Sequence, residues 1–229
     1  MLSTRPGTES FYARAGKRLF DLGFAAFALP VLILPLAFLA LAIRVSSGAP
    51  VLFRQVRIGR HGRPFRIIKF RTMVPGSAAG SSVTVCGDAR LTRTGKFLRK
   101  WKLDEIPQLW NVLLGDMSLV GPRADVPGFA DRLQGADRLI LSVRPGITGP
   151  ASLAYRNEEE LLALQADPES FNSEVIFPDK VRMNKVYVER LSVRQDLACL
   201  IQTVTQVFGN RGSFPPLPMV NPAEKAGQF

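Results

Sequence analysis

The sequence predicts an α/β, α-rich fold that is membrane-associated through an N-terminal re-entrant membrane helix. Residues 22–43 carry no charge, and residues 51–58 and 64–70 have the β-branched and aromatic composition of short strands. Helical periodicity dominates the rest of the chain. We therefore expect a small antiparallel sheet and amphipathic interfacial helices. The length of 229 residues suffices for one domain in addition to the membrane element.

The apolar stretch contains Pro30 and Pro35, each of which should kink or break a helix because proline lacks an N–H. As a straight helix, the stretch would be roughly 33 Å long, enough to span a bilayer. Basic residues flank it on both sides, and such flanks prefer the cytoplasmic face. A re-entrant hairpin that breaks at Pro30 or Pro35 places both flanks there. It is therefore favoured over a single span and over a buried helix of a soluble domain.

The next elements follow in chain order. The turn GRHGR joins the two strands into a hairpin, and residues 74–87 form a Gly-rich loop. Residues 95–102 form a basic helix, which would suit either a membrane surface or ordinary packing. Residues 104–114 form a helix with Asp104 as its N-cap. The remaining expectations are Gly/Pro-rich loops over 115–123 and 142–150 and helices over 157–165 and 196–208.

Composition limits the function. The net charge of +11 and the pI of about 10.4 indicate anionic lipid headgroups or phosphorylated substrates as partners. Nucleic acid is the other partner of such a charge, but no nucleic-acid-binding motif accompanies it. Cys86 and Cys199 form no metal-binding spacing and suggest no disulfide framework. His61 is the only histidine, which excludes any mechanism that needs two.

Two sets of residues indicate chemistry on phosphate groups. A basic run without any acid extends along the hairpin and ends in Lys69 and Arg71, whose position beside a loop suits a substrate phosphate; binding of lipid headgroups alone is the alternative. Two Gly/Pro loops, each with an arginine, are typical of either phosphate contacts or tight turns. These loops are Gly121-Pro122-Arg123 and Arg144-Pro145-Gly146-Ile147-Thr148-Gly149.

The adjacent pair Asp104–Glu105 is the strongest candidate for a catalytic centre. Two neighbouring carboxylates can share a divalent cation, or one can attack while the other handles a proton. The pair alone is weak evidence, because an aspartate at the start of a helix is usually only a cap.

Together these segments closely resemble the bacterial sugar transferase family, the small monotopic polyprenyl-phosphate phosphoglycosyl transferases. The resemblance covers about residues 15–208. Besides the interrupted apolar run, it rests on KRLFDL (17–22), PVLFRQVRIGRHGRPFRIIKFRTM (50–73), LTRTGKFLRKWKLDEIPQLWNVLLGDMSLVGPR (91–123) and RPGITGP (144–150).

The resemblance implies a catalytic domain on the inner leaflet that moves a sugar 1-phosphate from a UDP-sugar to polyprenyl (undecaprenyl) phosphate and releases UMP. It implies that Asp104 is the nucleophile, forming a covalent aspartyl intermediate, and that it also holds Mg²⁺. Glu105 would assist by proton handling or metal support. The phosphate-contacting positions would be Lys69, Arg71, Arg123 and Arg144.

The chain departs from the family pattern at several points. Leu34-Pro35 stands where the family commonly has Ser-Pro, Ala124 replaces a proline, and Asn184 replaces an aspartate before Tyr187-Val188. The segment 149–162 lacks the tryptophan that is frequent in the family, which suggests a sugar preference of its own.

The resemblance also sets the expected organisation. We expect a flexible N-terminus over 1–14, the re-entrant helix over 15–45, the catalytic domain over 46–209 and a flexible tail over 210–229. The expected location is the cytoplasmic face of the bacterial inner membrane, with no nucleic-acid partner. A non-catalytic basic membrane adaptor, which binds anionic lipid or partner proteins, is the alternative function.

Overall fold

The computed structural model describes residues 12–77 and 87–209, so residues 1–11 and the predicted tail over 210–229 lie outside it. It is helix-rich, with two sheets of two strands each. The elements are α1 (Lys17–Ser47), β1 (Leu52–Ile58), β2 (Pro64–Phe70), α2 (Arg93–Lys100), α3 (Gln108–Leu114), β3 (Ser118–Val120), β4 (Gly146–Thr148), α4 (Pro150–Ala154), α5 (Glu158–Ala163), α6 (Pro168–Phe171), α7 (Phe177–Glu189) and α8 (Val193–Phe208).

The apolar helix α1 has a mean hydropathy of 2.6 over its most apolar window. Within the described residues it is the one helix that is long and apolar enough to cross a membrane. It continues through Pro30 and Pro35 without interruption, so the predicted break is not observed. Both prolines lie on the exposed face, while Leu29 and Leu36 on the other face pack against the domain. This packing stabilises the helix where two backbone hydrogen bonds are lost.

The predicted hairpin is confirmed. Strands β1 and β2 pair antiparallel over their whole length, from Leu52 opposite Phe70 to Ile58 opposite Pro64. The connecting turn places His61 and Gly62 at positive φ, 59° and 76°. The helices that we predicted over 95–102, 157–165 and 196–208 are also present, as α2, α5 and α8.

The two Gly/Pro segments that we predicted as loops contain a second sheet. Strands β3 and β4 pair in parallel, with Ser118 opposite Gly146 and Val120 opposite Thr148. Glycine is required here by close approach: a Cβ on Gly146 would lie 2.1 Å from the backbone nitrogen of Gly121. The prediction was wrong because three-residue strands are too short to show alternation, and their glycines have the appearance of turn residues.

The main core joins α1 to the rest of the domain. Apolar residues of α3, β3 and α7 surround Ala25 of α1. Beside them, the buried carboxylate of Asp196 on α8 accepts hydrogen bonds from Lys17 (2.5 Å), Tyr12 (2.6 Å) and Tyr187 (2.6 Å). Because this carboxylate is fully paired, it fixes the start of α1 against α7 and α8.

Candidate active site

The Asp104–Glu105 pair lies in a short 3₁₀ turn, Leu103–Glu105, and not in a helix. We predicted that Asp104 would cap a helix over 104–114, but α3 begins only at Gln108, and Pro107 precedes it without a side-chain cap. The backbone before α3 instead forms 3₁₀-type bonds, in which the N–H groups of Glu105, Ile106 and Leu109 each donate to the carbonyl three residues earlier. The carboxylate of Asp104 is therefore not used as a cap.

Glu105 is held between two cations. Its Oε1 accepts hydrogen bonds from Nζ of Lys69 at 2.8 Å and from a terminal nitrogen of Arg123 at 3.1 Å. Lys69 lies near the end of β2, and Arg123 follows β3, so both sheets supply a partner. Burial alone would raise the pKa of Glu105, but Lys69 and Arg123 outweigh burial and hold the pKa well below its usual range. Glu105 is thus a permanent anion near neutral pH.

The environment of Asp104 differs from that of Glu105, because among the described residues its carboxylate lacks such paired cations. Its side chain is buried, and its Oδ1 accepts no hydrogen bond from any described residue. Burial raises the pKa of Asp104, the adjacent charge of Glu105 raises it further, and Lys69 and Lys102 oppose the increase. A buried carboxylate oxygen without a partner is costly and calls for an explanation. A ligand or a reaction partner at Oδ1 would provide one.

Both carboxylates line a cavity of about 1120 Å³. Another part of its lining, called the opposite wall below, comes from α5 and α7, where Nζ of Lys180 contacts Glu158 at 2.6 Å. Asp125 also lines the cavity, and its burial raises its pKa to about 6. The volume and the mixture of charges suit a polar ligand that carries both phosphate and hydroxyl groups.

The structure brings only some of the predicted residues together. Lys69, Arg123, Asp104 and Glu105 all line the cavity, whereas Arg71 and Arg144 are absent from its lining. Arg71 donates instead to the carbonyls of Ser47 (2.7 Å) and Gly48 (2.9 Å), where it closes the end of α1. Arg144 donates through Nε to the carbonyl of Gly115 at 2.7 Å. A contact of either residue with a substrate phosphate stays a prediction.

Sequence reasoning missed most of the opposite wall. Asp125, Glu158 and Lys180 belong to no motif, and nothing in their spacing marks them. Asn184 was noticed as a departure from a family pattern, and its side chain lies buried in the cavity with Oδ1 unpaired among the described residues. This position was therefore the one signal in the sequence that pointed toward α7.

Among the described residues, no group of three or more histidine, cysteine or acidic side chains is placed to hold a metal ion. Of the two adjacent carboxylates, Asp104 has the unpaired oxygen, whereas Oε1 of Glu105 accepts from Lys69 and Arg123. Cys199 is buried and unpaired, and Cys86 lies outside the described residues.

An apolar helix long enough to cross a membrane is fixed to a domain whose cavity holds paired carboxylates and cations, a combination typical of membrane-associated enzymes with a carboxylate-based site. Sequence comparison identifies the family. The chain belongs to the bacterial sugar transferase family, whose sequence model matches residues 12–210.

Named relatives support the assignment. The chain is 38% identical over 225 residues to a UDP-glucose:undecaprenyl-phosphate glucose-1-phosphate transferase of Caulobacter vibrioides, covering 91% of this chain and 76% of that protein. It is 36% identical over 196 residues to the uncharacterized sugar transferase EpsL of Bacillus subtilis, covering 86% and 89%. A UDP-N-acetylgalactosamine-undecaprenyl-phosphate N-acetylgalactosaminephosphotransferase of Aeromonas hydrophila is 33% identical over 201 residues, and the match spans 44% of its length.

Proposed function

We propose that this protein transfers a sugar 1-phosphate from a UDP-sugar to polyprenyl phosphate and releases UMP. The observation that carries the proposal is the buried carboxylate of Asp104, with Oδ1 unpaired, at the wall of a charged cavity. The activities for which the relatives from Caulobacter vibrioides and Aeromonas hydrophila are named agree with it.

In the proposed first step, Oδ1 of Asp104 attacks the β-phosphorus of the UDP-sugar. A new bond forms between this oxygen and the phosphorus, and the phosphorus–oxygen bond to UMP breaks, so that UMP leaves with the electron pair. In the second step, an oxygen of polyprenyl phosphate attacks the same phosphorus. Asp104 departs as a carboxylate, and the product is a polyprenyl diphosphate sugar.

In the proposed reaction a negatively charged carboxylate must approach a negatively charged phosphate. The cations of the site reduce the repulsion between the two. Lys69 and Arg123 lie beside the pair of carboxylates, in a partly desolvated cavity where charges interact strongly. Because its pKa is held low, Glu105 is a poor carrier of protons. We infer that it positions Lys69 and Arg123, in preference to the proton-handling role that the family resemblance allowed.

We propose Mg²⁺ as the cofactor, with Asp104 as its protein ligand. The residues fit such an ion, because Mg²⁺ is commonly held by one or two carboxylates together with substrate phosphates, and Oδ1 of Asp104 is unpaired within the described part of the chain. When bound, Mg²⁺ would neutralise negative charge on the diphosphate.

We also propose that α1 is re-entrant and that the domain rests on the cytoplasmic face of the inner membrane. The support is that both ends of α1 contact the same domain. Arg18 donates to the carbonyl of Val112 at 2.6 Å, and Ser47 at the other end accepts from Arg71. Contacts of one domain with both ends favour both ends lying on one side of the bilayer, which for the unbroken α1 would require a bend at Pro30 or Pro35 on insertion into the membrane.

The adaptor alternative is not favoured, because adhesion to lipid needs neither the unpaired carboxylate nor the family match. Identification of the nucleotide product decides between the functions. Purified protein with Mg²⁺, undecaprenyl phosphate and a panel of UDP-sugars is expected to release UMP with at least one sugar. Release of UDP would indicate an ordinary glycosyltransferase, and no turnover with any sugar would favour the adaptor.

A further inference from the structure

Three arginines meet at the C-terminal end of α3, outside the catalytic cavity. Arg18 of α1 donates to the carbonyls of Val112 (2.6 Å) and Leu113 (3.1 Å). Arg144 donates through Nε to the carbonyl of Gly115 at 2.7 Å. A Cβ on Gly115 would lie 3.3 Å from a terminal nitrogen of Arg18, so both guanidinium groups lie beside this glycine.

The third arginine comes from the hairpin turn. Nε of Arg60 donates to the carbonyl of Ser142 at 2.8 Å, two residues before Arg144 in the chain. Burial and the nearby guanidinium of Arg144 lower the pKa of Arg60. Elements that are distant in sequence therefore direct three positive charges to one surface, the arginine cluster of Arg18, Arg60 and Arg144.

Among the described residues, no member of the arginine cluster is paired directly with an acid; the charge of Asp21 attracts Arg18, but burial and Arg144 outweigh it and lower the pKa of Arg18. None of the cluster's three members forms an ion pair with a carboxylate in the described ranges 12–77 and 87–209. Asp21, one turn along α1 from Arg18, is turned inward and accepts from the backbone of Leu119. The carbonyl partners orient the guanidinium groups but leave their charges in place. The terminal nitrogens of Arg60 and Arg144 donate to nothing within those ranges, so they are available to an anion.

The surroundings indicate which anion. Arg18 lies in the first turn of the apolar helix, and Leu19 beside it is 64% exposed. On α3, Trp110 and Leu114 are 54% and 62% exposed. Exposed leucine and tryptophan next to arginine are typical of the boundary between lipid and water, where phosphate headgroups lie.

We propose that Arg18, Arg60 and Arg144 form a binding site for the phosphate of an anionic membrane phospholipid, separate from the catalytic cavity. Guanidinium groups match phosphate oxygens with two parallel hydrogen bonds. A lipid held there would fix the depth and rotation of the domain on the leaflet. The proposal assigns Arg144 to a structural lipid, where the family resemblance had implied a substrate phosphate.

The test is a binding titration on the full chain in a neutral detergent, independent of turnover. Dihexanoyl phosphatidylglycerol is added below its own micelle concentration, and tryptophan fluorescence is recorded, since Trp110 lies on the adjacent helix. Arg60→Gln removes one exposed member of the cluster. Arg63→Gln is the matched control, because it removes the same charge from an exposed position three residues away in the same hairpin.

We expect Arg60→Gln to weaken binding about fivefold or more, as loss of a charged hydrogen-bonding partner should, and Arg63→Gln to change it by less than about twofold. Arg60→Lys keeps the charge and should bind the lipid with an affinity between those of the unmodified protein and Arg60→Gln. This graded result would not be expected if the loss of binding came from a folding defect. Equal effects of Arg60→Gln and Arg63→Gln would overturn the proposal in favour of non-specific attraction. Inorganic phosphate binding as tightly as the lipid would overturn its assignment to a headgroup, and so would equal affinity for dihexanoyl phosphatidylcholine.

Discussion

The ion pair between Lys69 and Glu105 should make a measurable contribution to stability. The side chains of Lys69 and Glu105 are only 14% and 10% exposed, so solvent screens the pair weakly. Removing one partner of a buried pair costs roughly 3–5 kcal/mol of the free energy of unfolding. In Lys69→Met, Arg123 remains 3.1 Å from Glu105 and lowers this cost, so we expect about 2 kcal/mol.

Thermal unfolding in detergent measures this loss. For a domain of this size, about 2 kcal/mol corresponds to a decrease in Tm of roughly 4–8 °C. Glu105→Gln should have a similar effect, and the double variant Lys69→Met/Glu105→Gln should lose clearly less than the sum of the two. Arg66→Met is the control, because it removes an exposed cation from the same strand and should change Tm little.

The contribution of Glu105 to stability should depend on pH in one direction. The pKa of Glu105 is depressed in the folded protein, so its contribution to stability is present above the unfolded pKa and is lost only as the pH falls through the folded one. The penalty of Lys69→Met should therefore stay constant between about pH 7 and pH 5. Losses from the two single variants that add within about 0.5 kcal/mol would refute the coupling.

Three further predictions concern the sheet, the cavity and the nucleophile. Gly146→Ala should unfold the protein or strongly lower its Tm, because the added Cβ would lie 2.1 Å from the backbone nitrogen of Gly121; Gly23→Ala, with open space around it, should leave Tm unchanged. Asn184→Asp should lower the Mg²⁺ concentration that gives half-maximal activity, because it adds a carboxylate to the cavity; an unchanged or increased requirement would contradict this. Because burial and Glu105 raise the pKa of Asp104, activity should fall as the pH decreases through a value above the usual aspartate range; an acid limb at or below that range would count against an ionised Asp104 as the attacking group.

Much of the local structure was predictable. The hairpin of β1 and β2 follows from β-branched residues around a Gly-bearing turn. The pairing of β3 with β4 was not predictable, because it joins three-residue segments whose glycines serve close backbone approach. The start of α3 was placed too early, because the turn before it closes with bonds between residues three apart, and the sequence pattern does not distinguish such a 3₁₀ turn from the first turn of an α-helix.

The candidate site, too, was predictable only in part. Asp104 and Glu105 are adjacent in sequence, so any fold keeps them together. Lys69, which was predicted to contact a substrate phosphate, lies beside them, and that phosphate contact stays a prediction. Arg71 differs, because β2 ends at Phe70 and strand alternation no longer fixes where the next side chain points. The part of the lining from α5 and α7 lies far along the chain, and apart from Asn184 the sequence carries no signal for such a long-range contact.

The most direct test of the central claim is the mass of the protein after incubation with Mg²⁺ and its UDP-sugar in the absence of polyprenyl phosphate. The account predicts a mass increase equal to one sugar phosphate, located on Asp104 by peptide mapping, together with one equivalent of UMP. Asp104→Asn should show neither. Continued UMP release by Asp104→Asn at the unmodified protein's rate, or an adduct on any other residue, would contradict the claim.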